Sequence, residues 1–367
     1  MKILILNTFM FTPEKGNMQK VKTLKDTMMY NMCLGFKEIG HDVTLAVGEE
    51  FKPTEYEEYD FNVLFFKSKY RRLFPPTVLP YSAELKNYIK ENKDKFDMVL
   101  SSEVFMFQSL FAARICSEKT VIWQELTAHQ KKFHQLPSKF WYNIIAKHFM
   151  NRVKVVIPRS DKAHDFISRY MKNVSDTVVD HGINIEKFVA ERTKKKQIIS
   201  SSQLIYRKNV DGIIQKFAQF HNMKGYEDIK LIIAGRGEEE YKLRALVANL
   251  KLDAFVQFVG FLSQKKLGEY VGNSMAFLVN TRKDLNMVSI PESIVCGTPI
   301  LTNRQPASAG YIERNHLGVV KDDWNEQDLK LIIDENGKYV NNCIAYRDKL
   351  TSTHFAKMLV DIFKQSV

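Results

Sequence analysis

The sequence has little that would tie it to a metal, a disulfide framework or a bilayer-spanning segment. Its four cysteines are widely separated in 367 residues, with no Cys-x-x-Cys pair, so buried free thiols are expected. No apolar run approaches the roughly 18 residues that are needed to cross a bilayer. The opening residues, MKILILNTF, are too short and too strand-like for a signal peptide. These absences predict a cytoplasmic protein.

Acidic residues are absent from two stretches, 61–83 and 130–154, so the formal net charge of +12 is unevenly spread along the chain. A basic segment with interleaved aromatic residues suits an anionic membrane surface. The alternative is a solvated basic face whose aromatic side chains lie in the core, and charge alone leaves nucleic acid open. The residues predicted to form a membrane or acceptor surface are Lys69, Arg71, Arg72, Lys131, Lys132, Lys139 and Trp141.

Apolar runs alternate with helical stretches along the chain, which is the pattern of parallel α/β domains. Strands are expected at 2–7, 42–47, 62–66, 97–101, 120–124, 154–157, 177–180, 197–202, 230–234, 256–259, 275–279, 300–302 and 318–320. A helix is expected over 22–39. The polar run 191–196 reads as a linker. The sequence therefore predicts two Rossmann-like domains that face each other across a cleft, over 1–190 and 191–345.

The most informative segment covers residues 280–301. It predicts an irregular loop after a strand, a helix that opens near Pro291 and a stop at Gly297. Asp284 lies on the loop and Glu292 in the first turn of the helix. A helix N-terminus offers unpaired N–H groups and a positive dipole end to a phosphate, while a carboxylate accepts hydrogen bonds from sugar hydroxyls. The segment therefore predicts a nucleotide-sugar site.

Other polar residues follow predicted strands. Arg207 and Lys208 could neutralise a diphosphate, the first as a fork and the second as a point charge. Gly235 could let the backbone approach a nucleotide. Glu125 is interpreted as a base or hydroxyl acceptor, with a partly buried structural carboxylate as the alternative. His129 is interpreted as an ordinary surface histidine.

Glu292 followed by Gly297-Thr298-Pro299-Ile300 resembles the C-terminal signature of retaining glycosyltransferases of the GT-B fold, the family 4-like, group 1 enzymes. In that signature a Glu precedes the second Glu with seven residues between them. Here Asp284 stands in its place, and Leu285-Asn286-Met287 replaces the usual Gly-Phe-Gly. The segment 202–208 resembles the phosphate loop of the family, with Gln203 where the arginine is expected. The resemblance extends over nearly the whole chain.

The resemblance implies that Glu292 binds the ribose hydroxyls and that Asp284 approaches the donor sugar. Together with the reasoning above, it gives Asp284, Glu125 and Lys208 as catalytic residues. The donor-binding residues are Gly16, Arg207, Lys208, Gly235, Asn286, Met287, Val288, Ser289 and Glu292. A nucleoside-diphosphate sugar is the expected co-substrate, with no metal or other cofactor. A C-terminal helix, about 346–367, is expected to cross back to the N-terminal domain.

The leading hypothesis is a retaining hexosyl- or N-acetylhexosaminyltransferase. It would move a sugar from a nucleoside-diphosphate sugar to a glycan or polyprenyl-linked acceptor in bacterial surface polysaccharide synthesis, peripheral on the inner face of the membrane. No nucleic-acid partner is expected. One alternative is a catalytically silent GT-B-fold binding subunit, which Asp284 and Gln203 keep open. The other is a different GT-B enzyme, such as a nucleotide-sugar epimerase.

Overall fold

A computed structural model describes residues 1–10, 22–130, 132–283 and 287–366. The strands are β1 (Lys2–Asn7), β2 (Asp42–Gly48), β3 (Asn62–Phe66), β4 (Met98–Ser102), β5 (Thr120–Gln124), β6 (Val155–Pro158), β7 (Gln197–Ser201), β8 (Lys230–Ala234), β9 (Val256–Gly260), β10 (Phe277–Leu278), β11 (Ile300–Thr302) and β12 (Gly318–Val320). The α-helices are α1 (Met28–Glu38), α2 (Ala83–Asn92), α3 (Phe107–Ile115), α4 (Leu136–Phe140), α5 (Asp161–Ile167), α6 (Val210–His221), α7 (Glu240–Asn249), α8 (Gln264–Gly272), α9 (Ser289–Val295), α10 (Ala309–Arg314), α11 (Glu326–Asp334), α12 (Asn336–Tyr346) and α13 (Ser352–Gln365). A π-helix covers Trp141–Met150, and short 3-10 helices cover Glu49–Phe51, Lys93–Lys95, Ser117–Lys119, Lys132–Gln135, Ile185–Lys187, Tyr206–Lys208 and Arg347–Leu350.

The chain divides into two compact units. The first contains Met1–Ile183 and Thr351–Val367, and the second contains Asn184–Leu350. Each unit is built on one parallel sheet, with strand order β3-β2-β1-β4-β5-β6 in the first and β12-β11-β10-β7-β8-β9 in the second. Five consecutive residues of β1 are buried, because helices cover both faces of a parallel sheet and its strands are apolar throughout. The prediction of two Rossmann-like α/β domains is confirmed.

Most predicted strands begin and end within a residue or two of the observed ones. The helix expected over 22–39 was placed too early, because it begins at Met28. The hydroxyl of Thr27 accepts a hydrogen bond from the N–H of Tyr30 at 3.3 Å and caps the helix there. The preceding Leu24 donates its N–H to the Glu57 carboxylate at 3.0 Å instead of entering the helix.

The strand expected over 177–180 was wrong, because this described segment forms no strand. Val179 donates its N–H to the carbonyl of Pro158 at 2.9 Å. The next residue, Asp180, directs its carboxylate to Arg159 and His181. Charged contacts, rather than a continued ladder, therefore fix this part of the chain.

The unit boundaries differ from the predicted 190/191 and 345/346. The segment after Asn184 is tied to the second unit, because Arg347 donates from Nη2 to the carbonyls of Ile185 and Phe188 at 2.8 and 2.6 Å. Phe188 also packs so closely on Gly268 that an added Cβ there would lie 3.2 Å from its ring. Composition alone identifies the polar linker but does not reveal these contacts, which is why the predicted boundaries differ from the observed ones.

The C-terminal helix α13 belongs to the first unit and packs against α1. Gly35 makes the contact close, since a Cβ at this position would lie 2.2 Å from the carbonyl oxygen of Ser352. Phe355 adds edge contacts to Phe36 and Trp123, with ring centroids 6.1 and 5.1 Å apart. The helix therefore completes the apolar core on one face of the first sheet.

Candidate functional site

The predicted donor loops of the second unit meet at one edge of its sheet. The strand order reverses between β7 and β10, and ligands of open α/β sheets bind outside the carboxyl ends of the strands at such a point. The loop after β7 carries Arg207 and Lys208, and the loop after β10 leads to Val288 and Ser289. The topology thus gathers residues that are about eighty positions apart in the sequence.

Hydrogen bonds join these two loops directly. The carbonyl of Arg207 accepts from the N–H of Arg282 at 2.9 Å and from the hydroxyl of Thr281 at 3.0 Å. In the other direction, the guanidinium of Arg207 donates to the carbonyl of Lys283 at 3.1 Å. Lys208 is half-buried beside this junction. Arg207 is therefore held against the loop that follows β10, with Lys208 next to it in the sequence.

Arg282 strengthens the junction and was not predicted. Its guanidinium lies 4.1 Å from the ring centroid of Tyr206 and pairs with Asp211 at 2.8 Å. It also donates to the carbonyl of Tyr206. The position of Arg282 after a predicted strand could have marked it as a site residue. Its partners in the other loop cannot be predicted from sequence spacing.

The helix that carries Glu292 begins at Ser289, two residues before Pro291. Glu292 lies in its first turn, is half-buried and accepts a hydrogen bond from the amide of Gln264 at 2.9 Å. Val288 is exposed, whereas Met287 is buried with 8% of its surface accessible. The side chain of Met287 therefore belongs to the interior, and its backbone is the part available to a donor.

The structure gives a reason for glycine at position 235 that the sequence interpretation missed. Its φ is +131°, and its N–H donates to the carbonyl of Gly260 at 2.8 Å. A Cβ at this position would lie 1.9 Å from the carbonyl oxygen of Ser202. Glycine is thus required where the ends of β7 and β8 approach each other, beside the loop that carries Lys208.

Four predicted site residues, Gly16, Lys131, Asp284 and Asn286, lie outside the described residues, as does the side chain of Lys132. Their roles remain predictions.

In the first unit, carboxylates follow two adjacent strands, β4 and β5. Glu103 accepts hydrogen bonds from the N–H groups of Glu125 and Leu126 at 2.6 and 3.2 Å. Its φ is +65°, a left-handed conformation that costs a non-glycine residue about 1–3 kcal/mol. Burial and the neighbouring Glu125 carboxylate raise the pKa of Glu103 to about 8. The backbone at Glu125 is therefore held by a carboxyl group of unusually high proton affinity.

Arg159 follows β6, and its side chain extends to the Glu125 carboxylate at the end of β5. Its residue surface is 4% exposed, and its guanidinium lies 4.2 Å from the ring centroid of Trp123. One terminal nitrogen, Nη1, donates to Oε2 of Glu125. The other, Nη2, donates to Oδ1 of Asp180 at 3.4 Å. A buried cation thus links two carboxylates from different loops.

Asp180 and His181 complete this group, which we call the Arg159 cluster: Glu103, Glu125, Arg159, Asp180 and His181. Burial alone would raise the pKa of Asp180, but His181 and Arg159 hold it at about 2. Asp180 Oδ1 lies 2.9 Å from Nδ1 of His181. Within the described residues, Nε of Arg159 and Nε2 of His181 are buried without a hydrogen-bond partner.

Of the Arg159 cluster, only Glu125 was predicted to act on substrate. Glu103 and Arg159 each come directly after a strand that the sequence did predict, which was the signal available. Their contacts with Glu125 were not predictable, because they join the end of β5 to the ends of its two neighbours, β4 and β6, rather than residues at a fixed spacing.

His129 is not an ordinary surface histidine. It is half-buried, with Nδ1 3.1 Å from the hydroxyl of Ser138 and Nε2 3.0 Å from that of Tyr170. Burial and the nearby Lys139 lower its pKa. Its ring packs edge-on against Tyr142 and Phe166. These contacts make it part of the interior of the first unit.

Trp141 does not lie on the predicted membrane surface. Its residue surface is 7% exposed, and its indole N–H donates to the carbonyl of Val104 at 2.9 Å. Its ring packs edge-on against Phe105 and Phe107. The composition of a basic segment is the same whether its aromatic side chains face the core or the solvent. The sequence therefore could not decide which way Trp141 faces.

The segment around Trp141 nevertheless presents an exposed apolar row. We call this row and its lysines the amphipathic face. Its members are Leu136, Phe140, Ile144 and Phe149, which are 67, 60, 43 and 42% exposed, with the exposed Lys139 and Lys147 beside them. Leu136 and Phe140 lie in α4, and Ile144 and Phe149 lie in the π-helix with i→i+5 hydrogen bonds that follows it. Spacings of four to five residues therefore bring them to one side.

The second basic segment lies next to this region. Lys69, Arg71 and Arg72 are exposed, and Arg71 pairs with Glu50 at 3.2 Å. Within the same loop the exposed ring of Tyr70 lies 5.6 Å from that of Tyr81. Aromatic contacts then continue through Phe107 to Trp141, with centroid distances of 5.2 Å at each step. The two basic segments are therefore linked through one aromatic cluster.

Two absences among the described residues bear on the site. Among the described residues, no group of three or more His, Cys, Asp or Glu side chains is arranged to hold a metal ion. In the same part of the chain, no helix is both long enough and apolar enough to cross a membrane.

Comparison with known proteins gives two family models and several relatives. Residues 183–342 match the model of glycosyl transferases group 1, and residues 26–187 match that of glycosyltransferase family 4. The alpha-monoglucosyldiacylglycerol synthase of Streptococcus pneumoniae is 24% identical over 50% of this chain and 45% of its own. The O-antigen biosynthesis glycosyltransferase WclY of Escherichia coli is 24% identical over 43% of this chain and 44% of its own. The chain thus spans about half the length of these curated relatives.

The fold is shared more widely than the sequence. The crystal structure of Anabaena Alr3699/HepE in complex with UDP matches with a TM-score of 0.68 at 13% identity, over 99% of this chain and 100% of that one. The same protein in complex with UDP-glucose matches with a TM-score of 0.65. The two family models adjoin at the boundary between the two units and together cover most of both. The chain therefore belongs to the GT-B glycosyltransferases of group 1 and family 4.

Proposed function

We propose that this protein transfers a sugar from a UDP-sugar to a lipid or lipid-linked acceptor, in the synthesis of a surface glycolipid or polysaccharide. The observation that carries the proposal is the junction of the two donor loops. It holds Arg207 against residues 281–283, and with it the adjacent Lys208, at the edge where the strand order of the second sheet reverses. A nucleoside diphosphate is the ligand that two clustered cations at such an edge suit best.

UDP is proposed as the leaving group because Alr3699/HepE of the same fold is described in complex with UDP and with UDP-glucose. Glu292, half-buried in the first turn of α9, is proposed to accept hydrogen bonds from the ribose hydroxyls.

Retention of anomeric configuration is proposed from the run Glu292 to Ile300, and Asp284 is proposed to approach the donor sugar. The reaction is proposed to need no metal, since Lys208 and Arg207 can balance the diphosphate charge.

The donor proposal predicts selective stabilisation by UDP in a thermal-shift panel of UDP, GDP, ADP and CMP, measured with EDTA present. At a hundred times the dissociation constant, a ligand stabilises the folded state by about 2.7 kcal/mol. For a domain of this size that corresponds to a rise in Tm of about 5–10 °C. The absence of a shift with every nucleotide at millimolar concentration contradicts the transferase proposal and favours a silent GT-B-fold subunit.

A membrane-borne acceptor is proposed from the amphipathic face of the first unit. Four exposed apolar side chains in one row, flanked by Lys139 and Lys147, combine apolar area with positive charge. Such a surface lies in the boundary between lipid headgroups and acyl chains and is attracted to anionic lipids. The curated relative from Streptococcus pneumoniae is named as a synthase of a glucosyldiacylglycerol, which supports a lipid acceptor.

We expect the variant Phe140→Ser with Ile144→Ser to bind anionic vesicles at least about tenfold more weakly than the wild type. Burying one such side chain contributes about 1.5–3 kcal/mol when complete, and the two here start 60 and 43% exposed. Flotation with vesicles of phosphatidylglycerol and phosphatidylcholine measures the bound fraction. Tyr241→Ser is the matched control, because Tyr241 is 85% exposed but lies in the second unit. Equal flotation of the double variant and the wild type contradicts this assignment.

A further inference from the structure

Glu125 is held from two sides by groups of the Arg159 cluster. Its backbone N–H is bound by the Glu103 carboxylate at 2.6 Å, and its own carboxylate receives Nη1 of Arg159. The Glu125 side chain is 37% exposed, whereas those of Arg159 and Asp180 are 3 and 14% exposed. The cluster therefore presents one ordered carboxylate to solvent, above partners that are themselves buried.

A purely stabilising role does not account for this arrangement. A buried ion pair loses hydration energy that its Coulomb attraction only partly recovers, so it is weak evidence of stability. Glu103 adds a left-handed backbone conformation, and such strain concentrates at functional sites. The buried nitrogens Nε of Arg159 and Nε2 of His181 have no partner among the described residues. These unfavourable contributions to the folding free energy lie together at the carboxyl ends of β4, β5 and β6, where ligands of such sheets bind.

The charges of the cluster indicate what kind of group Glu125 meets. Burial and the charge of Glu125 raise the pKa of Glu103 to about 8, so Glu103 is mostly protonated at neutral pH, and the carboxylates of Glu125 and Asp180 are the negative charges beside the Arg159 guanidinium. A further anion, such as a phosphate, would be repelled by the Glu125 carboxylate, which is the more exposed of these two carboxylates. A neutral hydroxyl instead donates a hydrogen bond to a carboxylate without adding charge. Hydroxyl groups of a sugar or glycerol headgroup fit this requirement.

We propose that the Arg159 cluster is the acceptor-hydroxyl subsite of the transferase, an inference that rests on the proposed function. Glu125 accepts a hydrogen bond from a hydroxyl of the acceptor. Arg159 and Glu103 are positioning residues, the first for the Glu125 carboxylate and the second for its backbone. The Glu125 carboxylate at the exposed end of the subsite favours a polyol or sugar headgroup over an anionic one.

The test compares wild type, Glu125→Gln, Arg159→Lys and the double variant, with Glu118→Gln as control. Glu118 is an exposed glutamate just before β5, at the opposite edge of the sheet from Glu125. Initial rates are measured with UDP-glucose against vesicles that contain diacylglycerol, glucosyl-diacylglycerol or a polyprenyl-diphosphate-linked sugar. The Tm of each variant, with and without UDP, is measured on the same preparation.

We expect Glu125→Gln to raise the KM for the acceptor about tenfold or more, because a hydrogen bond to a charged group is roughly twice as strong as a neutral one. The stabilisation by UDP stays that of the wild type. Arg159→Lys, which loses the fork that reaches both carboxylates, raises the same KM. The double variant is no worse than the poorer single variant, since Arg159 acts through Glu125.

An unchanged acceptor KM in Glu125→Gln, with wild-type turnover intact, overturns the subsite and leaves the proposed function standing. Effects of Glu125→Gln and Arg159→Lys that multiply show that Arg159 does not act through Glu125, and they overturn its positioning role. A wild type that neither binds UDP nor transfers sugar overturns the proposed function and this inference together. If Arg159→Lys fails to fold, the exposed Glu125→Gln still decides the subsite.

Discussion

Replacing Lys208 by alanine is expected to lower kcat about a hundredfold or more, with a much smaller effect on Tm. Negative charge grows on the leaving diphosphate as its bond to the anomeric carbon breaks, so a fixed cation stabilises the transition state more than the ground state. Removing one such group typically costs about 10²–10³ in kcat. Lys208 is half-buried next to the loop junction, where water screens it less than an exposed lysine.

The measurement is the initial rate at saturating UDP-sugar, with EDTA present so that no adventitious metal replaces the lost charge. Lys230→Ala is the matched control, because Lys230 is an exposed lysine at the first position of β8, at the opposite edge of the same sheet. Lys208→Arg keeps the charge and should recover part of the rate. A Lys208→Ala enzyme within about threefold of the wild-type kcat, against the hundredfold expected of such a group, removes Lys208 from the mechanism.

Replacing Gly235 by alanine is expected to destabilise the second unit by about 2–4 kcal/mol, by forcing backbone apart at a strained conformation. Its φ of +131° is one that L side chains rarely adopt, and the new Cβ would lie 1.9 Å from the carbonyl oxygen of Ser202. The loop that leads to Lys208 follows Ser202 directly, so UDP stabilisation should fall as well. Urea denaturation followed by a probe in each unit measures the change, because two-unit chains need not unfold in one step.

Gly225→Ala separates the two contributions. Gly225 has a φ of +96° but nothing within 4 Å of its added Cβ, so Gly225→Ala reports the conformational cost alone, about 1–2 kcal/mol. Equal losses of stability in the two variants would mean that the close approach to Ser202 relaxes without cost. A loss confined to Gly235→Ala assigns the effect to the contact between the ends of β7 and β8.

The sequence predicted the strands better than the helix starts. Strands such as β1 are near-continuous apolar runs between polar residues, because both faces of a parallel sheet are covered. The start of α1 depends instead on the hydroxyl of Thr27 and on Glu57 holding Leu24. These are contacts with particular partners, and periodicity does not encode them.

The contacts of the proposed donor side were more predictable than those of the proposed acceptor side. Arg207 and Lys208 are adjacent in the sequence and follow a predicted strand, so the sheet topology alone brings them to the edge. Glu125 is different, because its setting depends on Arg159 and Asp180, which come from separate loops. The error at Trp141 has the same origin, since its side of the helix follows from packing on Phe105 and Phe107.

The return of α13 to the first unit has a consequence for how the protein is made. Phe355 contacts Phe36 and Trp123, yet it leaves the ribosome after the whole of the second unit. Domains usually complete folding in the order of synthesis, N-terminal first. Here the C-terminal unit has all its residues first, and during translation the apolar surface that α13 covers is open to solvent or to a chaperone. A chain that is stalled or truncated before α13 should therefore have a folded second unit and a first unit that exposes apolar surface and is prone to aggregate.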